Sequence, residues 1–180
     1  MSRFSIEHVH DRRAAHEALF ADLRVVGLQR LAQEAHLSTE TPRSYTRPLM
    51  IWVTRGQGLI TLGNTRRGFG TNSIIFIPAG QVHGIDVPTA MQGHALFLPD
   101  DRDLAWPEEA ILLRCRDGDL MAEIMTLMDL VQRIARISDD QSARAATHAA
   151  GLISVFLARH RLSGSALPAF ASTRGPESPD

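Results

Sequence analysis

Apolar positions along this chain change their period twice. From about residue 24 to residue 99 they gather in short runs, LRVVGLQRLA, PLMIWVTRG, LITLGN, SIIFIPAG and GHALFLP, each bounded by Gly, Pro or Asn. Runs of this length and spacing predict an all-β barrel or sandwich. In DLMAEIMTLMDLVQRIARI the period lengthens: Leu120, Ile124, Leu127, Met128, Val131 and Ile134 recur at steps of three or four, as on an amphipathic helix. A second helix is predicted at once, with Ala145, Ala149, Leu152, Ile153, Phe156 and Leu157 as its apolar stripe and Ser138-x-x-Gln141 as a capping signature. Two such helices joined by a short turn read as an antiparallel hairpin over 118–162. Ahead of the strands, 9–22 (HVHDRRAAHEALFA) suggests a short amphipathic helix. The final stretch, 163–180, has the Ser, Pro, Gly and Ala content of a disordered linker. The expected organisation is a barrel with a short leading helix over 1–117, a helical hairpin over 118–162, and a tail. A linker in that place suggests that a further segment follows it.

Two segments give the barrel a more definite character. Residues 47–63, RPLMIWVTRGQGLITLG, run as a strand into the turn Arg55-Gly56-Gln57-Gly58 and out into another strand, which reads as a hairpin whose glycines supply positive φ. Residues 70–83 place Gly70 before an apolar strand that ends in Pro78-x-Gly80-x-x-His83. That segment is similar to the second cupin motif. Together with the helical pair, the two segments resemble the sugar-binding and dimerisation domain of AraC-type transcription regulators, over about residues 20–162. The resemblance implies a cupin-like jelly-roll pocket for a small-molecule effector, a helix-mediated homodimer, and DNA contact through a C-terminal pair of helix-turn-helix units. No sequence for such units occurs in these 180 residues.

Metal-dependent cupins hold their ion through His-x-His, a Glu and the motif-two His. At cupin spacing from Gly56 the His-x-His slots fall on Arg43 and Tyr45 and the Glu slot on Leu49. A cation, a phenol and an apolar residue replace three ligands. His83 alone survives, and one imidazole makes no metal site. Pairing His94 with His83 lacks a carboxylate, and His8 and His10 sit in a polar terminus. No cofactor and no metal are expected. Neither a nucleophile elbow nor a phosphate-binding glycine loop is present. The expectation is therefore a non-enzymatic domain. A stand-alone cupin enzyme acting on a small polar metabolite is the alternative, and an interaction module with a vestigial pocket is a third reading.

Candidate ligand contacts follow from the period-two rule for strands. On 48–54 one face carries Leu49, Ile51 and Val53, and the other Pro48, Met50, Trp52 and Thr54. Trp52 and its neighbours suit a pocket wall, which is mostly apolar with a few placed polar groups. Arg43 and Arg47 flank Tyr45 near the expected barrel mouth, where an arginine can hold a carboxylate bidentately. His83 and His94 complete the set. The effector reads as a sugar or a carboxylate. On the helices Met121, Met125 and Leu130 lie off the main stripe, and Ile153 and Leu157 widen the second. Surplus apolar area of this kind marks a partner surface, so Leu120, Ile124, Leu127, Leu130 and Val131 are the expected dimer contacts.

Composition narrows the picture further. A net charge of −1 gives no electrostatic footprint for DNA. All 19 basic residues are arginine, which removes lysine Schiff-base chemistry. The single cysteine, Cys115, excludes an internal disulfide and, in its apolar surroundings, reads as packing. No signal-peptide core and no uncharged run near the ~18 residues of a membrane span is present. A cytoplasmic protein without membrane contact is expected.

Overall fold

The structure is a computed structural model that describes residues 23–137, 139 and 141–162. The expected helix at 9–22 and the tail at 163–180 lie outside them, as do Ser138, His8 and His10. Among the described residues eight strands form two antiparallel sheets: β1 (Arg24–Gly27), β2 (Leu49–Arg55), β3 (Gly58–Leu62), β4 (Thr65–Phe69), β5 (Ser73–Ile77), β6 (His83–Asp86), β7 (Gln92–Phe97) and β8 (Ile111–Arg114). One sheet has the order β1-β7-β2-β5-β8 and the other β4-β3-β6. The α-helices of the described residues are α1 (Leu28–Ala35), α2 (Gly118–Ile134) and α3 (Ser142–Leu162). The expected jelly-roll barrel followed by a helical hairpin is what the chain forms. Among the described residues no helix is long and apolar enough to cross a membrane.

Several local expectations are corrected. The run at 23–32 is half strand and half helix, because Leu28 and Leu31 bury at a spacing of three. The Arg55–Gly58 turn closes no hairpin. β2 pairs with β5 and β7, whereas β3 pairs with β4 and β6, so this turn carries the chain from one sheet to the other. Gly56 makes that corner at φ 99°, a conformation costly for any residue with a Cβ. The capping pair expected at Ser138 and Gln141 includes a residue outside the described ones. Among the described residues, Asp139 accepts from the Gln141 N–H at 3.0 Å and from the Ser142 hydroxyl at 2.7 Å, while Ser142 Oγ accepts from Asp139 N at 3.0 Å.

Both faces of the larger sheet are buried. Leu49, Ile51, Val53, Ile75, Ile77, Ala95 and Phe97 point into the barrel with Ile60, Leu62 and Ile85 of the smaller sheet. Met50, Trp52, Ile74, Phe76, Leu96, Ile111 and Leu113 point outward and pack under α2 and α3. Trp52 therefore belongs to the helix–sheet core at 8% exposure, not to a pocket wall. His94 stands beside it in register, with ring centroids 6.3 Å apart. The expected face assignment for β2 is inverted, since an apolar residue on either face finds a buried partner.

The dimer contacts also need correction. Leu120, Ile124, Leu127 and Val131 are at most 9% exposed and lie in the core shared with the barrel and α3. Of the expected set only Leu130 reaches the surface, at 38%. Leu152, expected on the buried stripe of α3, is 49% exposed. Glu123 of α2 accepts hydrogen bonds from Arg159 at 3.1 Å and from the His160 ring at 3.3 Å. Two helical turns on from Glu123 is Leu130, and two turns back from Arg159 is Leu152. The hairpin thus brings these residues level on its outer side, with Val155 one turn away at 53% exposure.

Candidate functional site

The segment ahead of β2 crosses one end of the barrel. Arg43 and His83 exchange both backbone hydrogen bonds at 2.8 Å, and Gly80 N donates to Tyr45 O at 2.8 Å. These stitches hold Tyr45 over the barrel mouth. Its ring meets Phe97 edge-on at 5.1 Å and the His83 ring at 5.6 Å. Phe97 ends β7 opposite Arg24 of β1 and Leu49 of β2, so the sheet register carries both the aromatic wall and an arginine to this end. A cavity of about 260 Å³ opens there, lined by Arg24, Tyr45, Thr46, Arg47 and Phe97.

The site residues expected from sequence divide in two. Tyr45 and Arg47 line the mouth cavity, and His83 packs against Tyr45. Arg43 is adjacent in the backbone, but its guanidinium donates to His36 O at 3.2 Å, closing the left-handed end of α1. Trp52 and His94 lie on the opposite face of the sheet, away from the mouth. Arg24 and Phe97 were not among the sequence candidates. The inward period of Ala95 and Phe97 was a usable signal for the second, whereas only the β1–β7 pairing reveals the first.

Polar chemistry at the mouth is unevenly satisfied. His83 is 2% exposed, and its Nδ1 lies 2.9 Å from Gln81 O. Among the described residues its Nε2 has no hydrogen-bond partner, and neither has the buried Tyr45 Oη. Arg24 sits 3.8 Å from Glu34 on a solvent-exposed side chain, and Arg47 is engaged within the protein. A guanidinium has five N–H donors, so such engagement leaves capacity for an anion. Burial, reinforced by repulsion from Arg43 and opposed by the Gln81 hydrogen bond, holds the His83 imidazole below its ordinary range; burial does the same to His94.

This has a consequence for stability. In the unfolded chain both rings take up protons near pH 6.5, whereas the folded protein keeps them neutral to lower pH. The stabilisation is fully present above the unfolded value and is lost as pH falls through it, by up to about 1.4 kcal/mol per pH unit for each ring. Thermal melts should therefore show Tm falling between about pH 7.5 and about pH 5.5, with a shallower fall in His83→Asn. A flat profile over that range would contradict neutral buried rings.

The fold family's metal does not fit these residues. Arg43 is committed to a carbonyl, Tyr45 packs on Phe97, and Leu49 is buried at 2% exposure inside the barrel. Among the described residues no three of His, Cys, Asp and Glu come together. A larger groove of about 750 Å³ lies at the other end of the barrel, lined by residues that include Gln57, Phe69, Gly70, Asp86 and Arg114. Asp86 there is held by Thr39 through hydrogen bonds of 2.7 and 2.9 Å. That groove is roomier, but among the described residues no unsatisfied buried polar atom lines it.

No protein-family model matches this sequence, and no curated protein matches it. Solved structures do. The AraC-like transcriptional activator CuxR is similar at a TM-score of 0.51 and 12% identity, over 85% of this chain and 56% of CuxR. Wild-type ToxT from Vibrio cholerae strain SCE256, in a structure bound to unsaturated fatty acid, gives 0.45 and 9%, over 81% of this chain and 56% of ToxT. A cupin-2 domain protein from Shewanella frigidimarina gives 0.32 and 11%, over 41% of this chain and 66% of that protein. The likeness to CuxR shows a shared fold, as the sequence motifs led one to expect. The chain spans little more than half the length of the two regulators.

Proposed function

We propose that this chain is the effector-binding and dimerisation part of an AraC-type transcription regulator, and that its effector is a small organic acid bound at the barrel mouth. One observation carries the reading: a single cavity joins two arginines, an aromatic wall and a tyrosine whose buried hydroxyl is unpaired. Two arginines lining one small cavity favour a carboxylate over a neutral molecule. DNA contact belongs, in this proposal, to a helix-turn-helix part outside these 180 residues, in keeping with the net charge of −1. The domain acts by binding in the cytoplasm and catalyses nothing. Its homodimer forms through the outer side of the hairpin, at Leu130, Leu152 and Val155, which present apolar area a twofold partner can cover.

Thermal melting tests the ligand class. Hexanoate, phenylacetate and gluconate, set against neutral glucose, should separate into acids that stabilise and a sugar that does not. A ligand at a hundredfold excess over its Kd adds about 2.7 kcal/mol, a rise of about 5–10 °C for a chain of this size. Arg24→Ala with Arg47→Ala should remove that rise. Stabilisation by glucose alone would overturn the anionic-effector reading.

A further inference from the structure

Arg24 lines the mouth with a carboxylate of the protein's own already beside it. β1 sets Arg24 opposite Phe97 at the cavity. α1 follows β1 and ends at His36, a residue in the left-handed region at φ 48° whose carbonyl accepts from the Arg43 guanidinium. The last turn of α1 carries Glu34, which divides its two oxygens between two arginines. Oε1 accepts from Arg30 Nε, one helical turn earlier, at 2.6 Å. Oε2 lies 3.8 Å from a terminal nitrogen of Arg24, too far for a hydrogen bond. The Glu34 carboxyl is held below its ordinary range chiefly by the Arg30 hydrogen bond, and the charge of Arg24 contributes least. Arginine–carboxylate hydrogen bonds close at about 2.7–2.9 Å. Arg24 makes none of these with Glu34, so a second carboxylate at the mouth can approach it more closely than Glu34 does. Glu34 loses little in that exchange, because Arg30 keeps its other oxygen.

We propose that Glu34 is an internal competitor for the effector: it pairs with Arg24 in the free protein, and a small organic acid binds by taking its place on Arg24 while Arg30 retains Glu34. This rests on the mouth-site reading above. Glu34 touches no ligand in this scheme. It is a positioning residue that sets affinity through Arg24, and Arg30 governs how firmly it competes. Loosening Glu34 from Arg24 tightens the acid, and strengthening that pair weakens it.

Calorimetric titration with hexanoate, 4-hydroxyphenylacetate and gluconate tests the proposal. Glu34→Gln removes the competing charge and should bind at least one of these acids about two- to fivefold more tightly, the range in which an exposed ion pair acts. Arg30→Gln leaves Glu34 to Arg24 alone and should bind the same acid about twofold more weakly. Both variants lose the same i,i+4 pair of α1, so their melting temperatures should shift alike. A purely structural role would move both affinities in one direction. The double variant, Arg30→Gln with Glu34→Gln, keeps the net charge of the wild type. It should bind as tightly as Glu34→Gln, because the competitor is gone, whereas a long-range charge effect would return it to the wild-type value. An unchanged or weakened Glu34→Gln, an Arg30→Gln that does not weaken binding, or a double variant at wild-type affinity overturns the competitor and leaves the acid site standing. Failure of all three acids to bind both wild type and Glu34→Gln, or binding that survives replacement of Arg24 and Arg47 together by alanine, removes the mouth site itself, and the proposal with it.

Discussion

Gly93→Ala should destabilise this domain more than any other glycine substitution considered. Gly93 of β7 pairs with Val53 of β2, next to the irregularity between Val53 and Arg55. A Cβ at this position would press into the Trp52 carbonyl oxygen and lie 3.1 Å from Val53 Cα. Both obstacles are backbone of the adjacent central strand, so no rotamer change relieves them. Forcing the strands apart disturbs inner and outer faces together, because Ile51 and Val53 pack inside the barrel while Trp52 packs beneath the helices. A loss of about 3–5 kcal/mol is expected, at the upper end of overpacking. That is a large part of the 5–15 kcal/mol typical of a domain. Gly118→Ala is the control: nothing lies within 4 Å of its Cβ, and it opens α2. Urea denaturation followed by circular dichroism should show Gly118→Ala within about 0.5 kcal/mol of the wild type and Gly93→Ala with a midpoint lowered by the equivalent of about 3–5 kcal/mol. A wild-type midpoint for Gly93→Ala would contradict the β2–β7 register.

The helical hairpin offers a second large contrast. Ile124 is fully buried in the core cluster that also holds Trp52, Phe76 and Phe156, so Ile124→Asp places an unpaired carboxylate in the core. That should cost upwards of about 4 kcal/mol and destroy the fold. Leu152→Asp faces solvent in one chain and should leave the circular dichroism unchanged. In the proposed dimer the same substitution buries a charge against the partner and should weaken association at least a hundredfold, equivalent to about 2.7 kcal/mol. Sedimentation at micromolar concentration should show a wild-type dimer and a folded Leu152→Asp monomer. A monomeric wild type, or a dimer indifferent to Leu152→Asp, would remove the hairpin from the interface.

These two variants also mark where sequence reasoning succeeds. All six residues of the expected α2 stripe are buried, because helical period is a local property that one apolar face suffices to reveal. Strand faces behaved differently. Met50 and Trp52 are as apolar as Leu49 and Ile51, and with both faces of the sheet covered nothing local distinguishes barrel from helix layer. β4, with exposed Arg66 and Arg67, and the short His-Gly-Ile-Asp of β6 carry too little apolar pattern to register as strands. Exposure on the helices followed from tertiary packing, which turned Leu127 inward and Leu152 outward. At the mouth, Tyr45, Arg47 and His83 were legible from the motif they flank. Arg24 and Phe97 join them through pairing between strands remote in the chain, and the commitment of Arg43 to His36 depends on how α1 ends.

An acid bound at the barrel mouth defines a place as well as a ligand class, and backbone amide chemical-shift mapping addresses both at once. Titration of isotope-labelled protein with 4-hydroxyphenylacetate, and separately with gluconate, should give saturable shifts for at least one acid at Arg24, Tyr45, Thr46, Arg47 and Phe97. Those shifts should vanish when Arg24 and Arg47 are both replaced by alanine. Saturable shifts confined to Gln57, Phe69, Gly70 and Arg114 at the other end of the barrel, or none for either acid, would contradict the account.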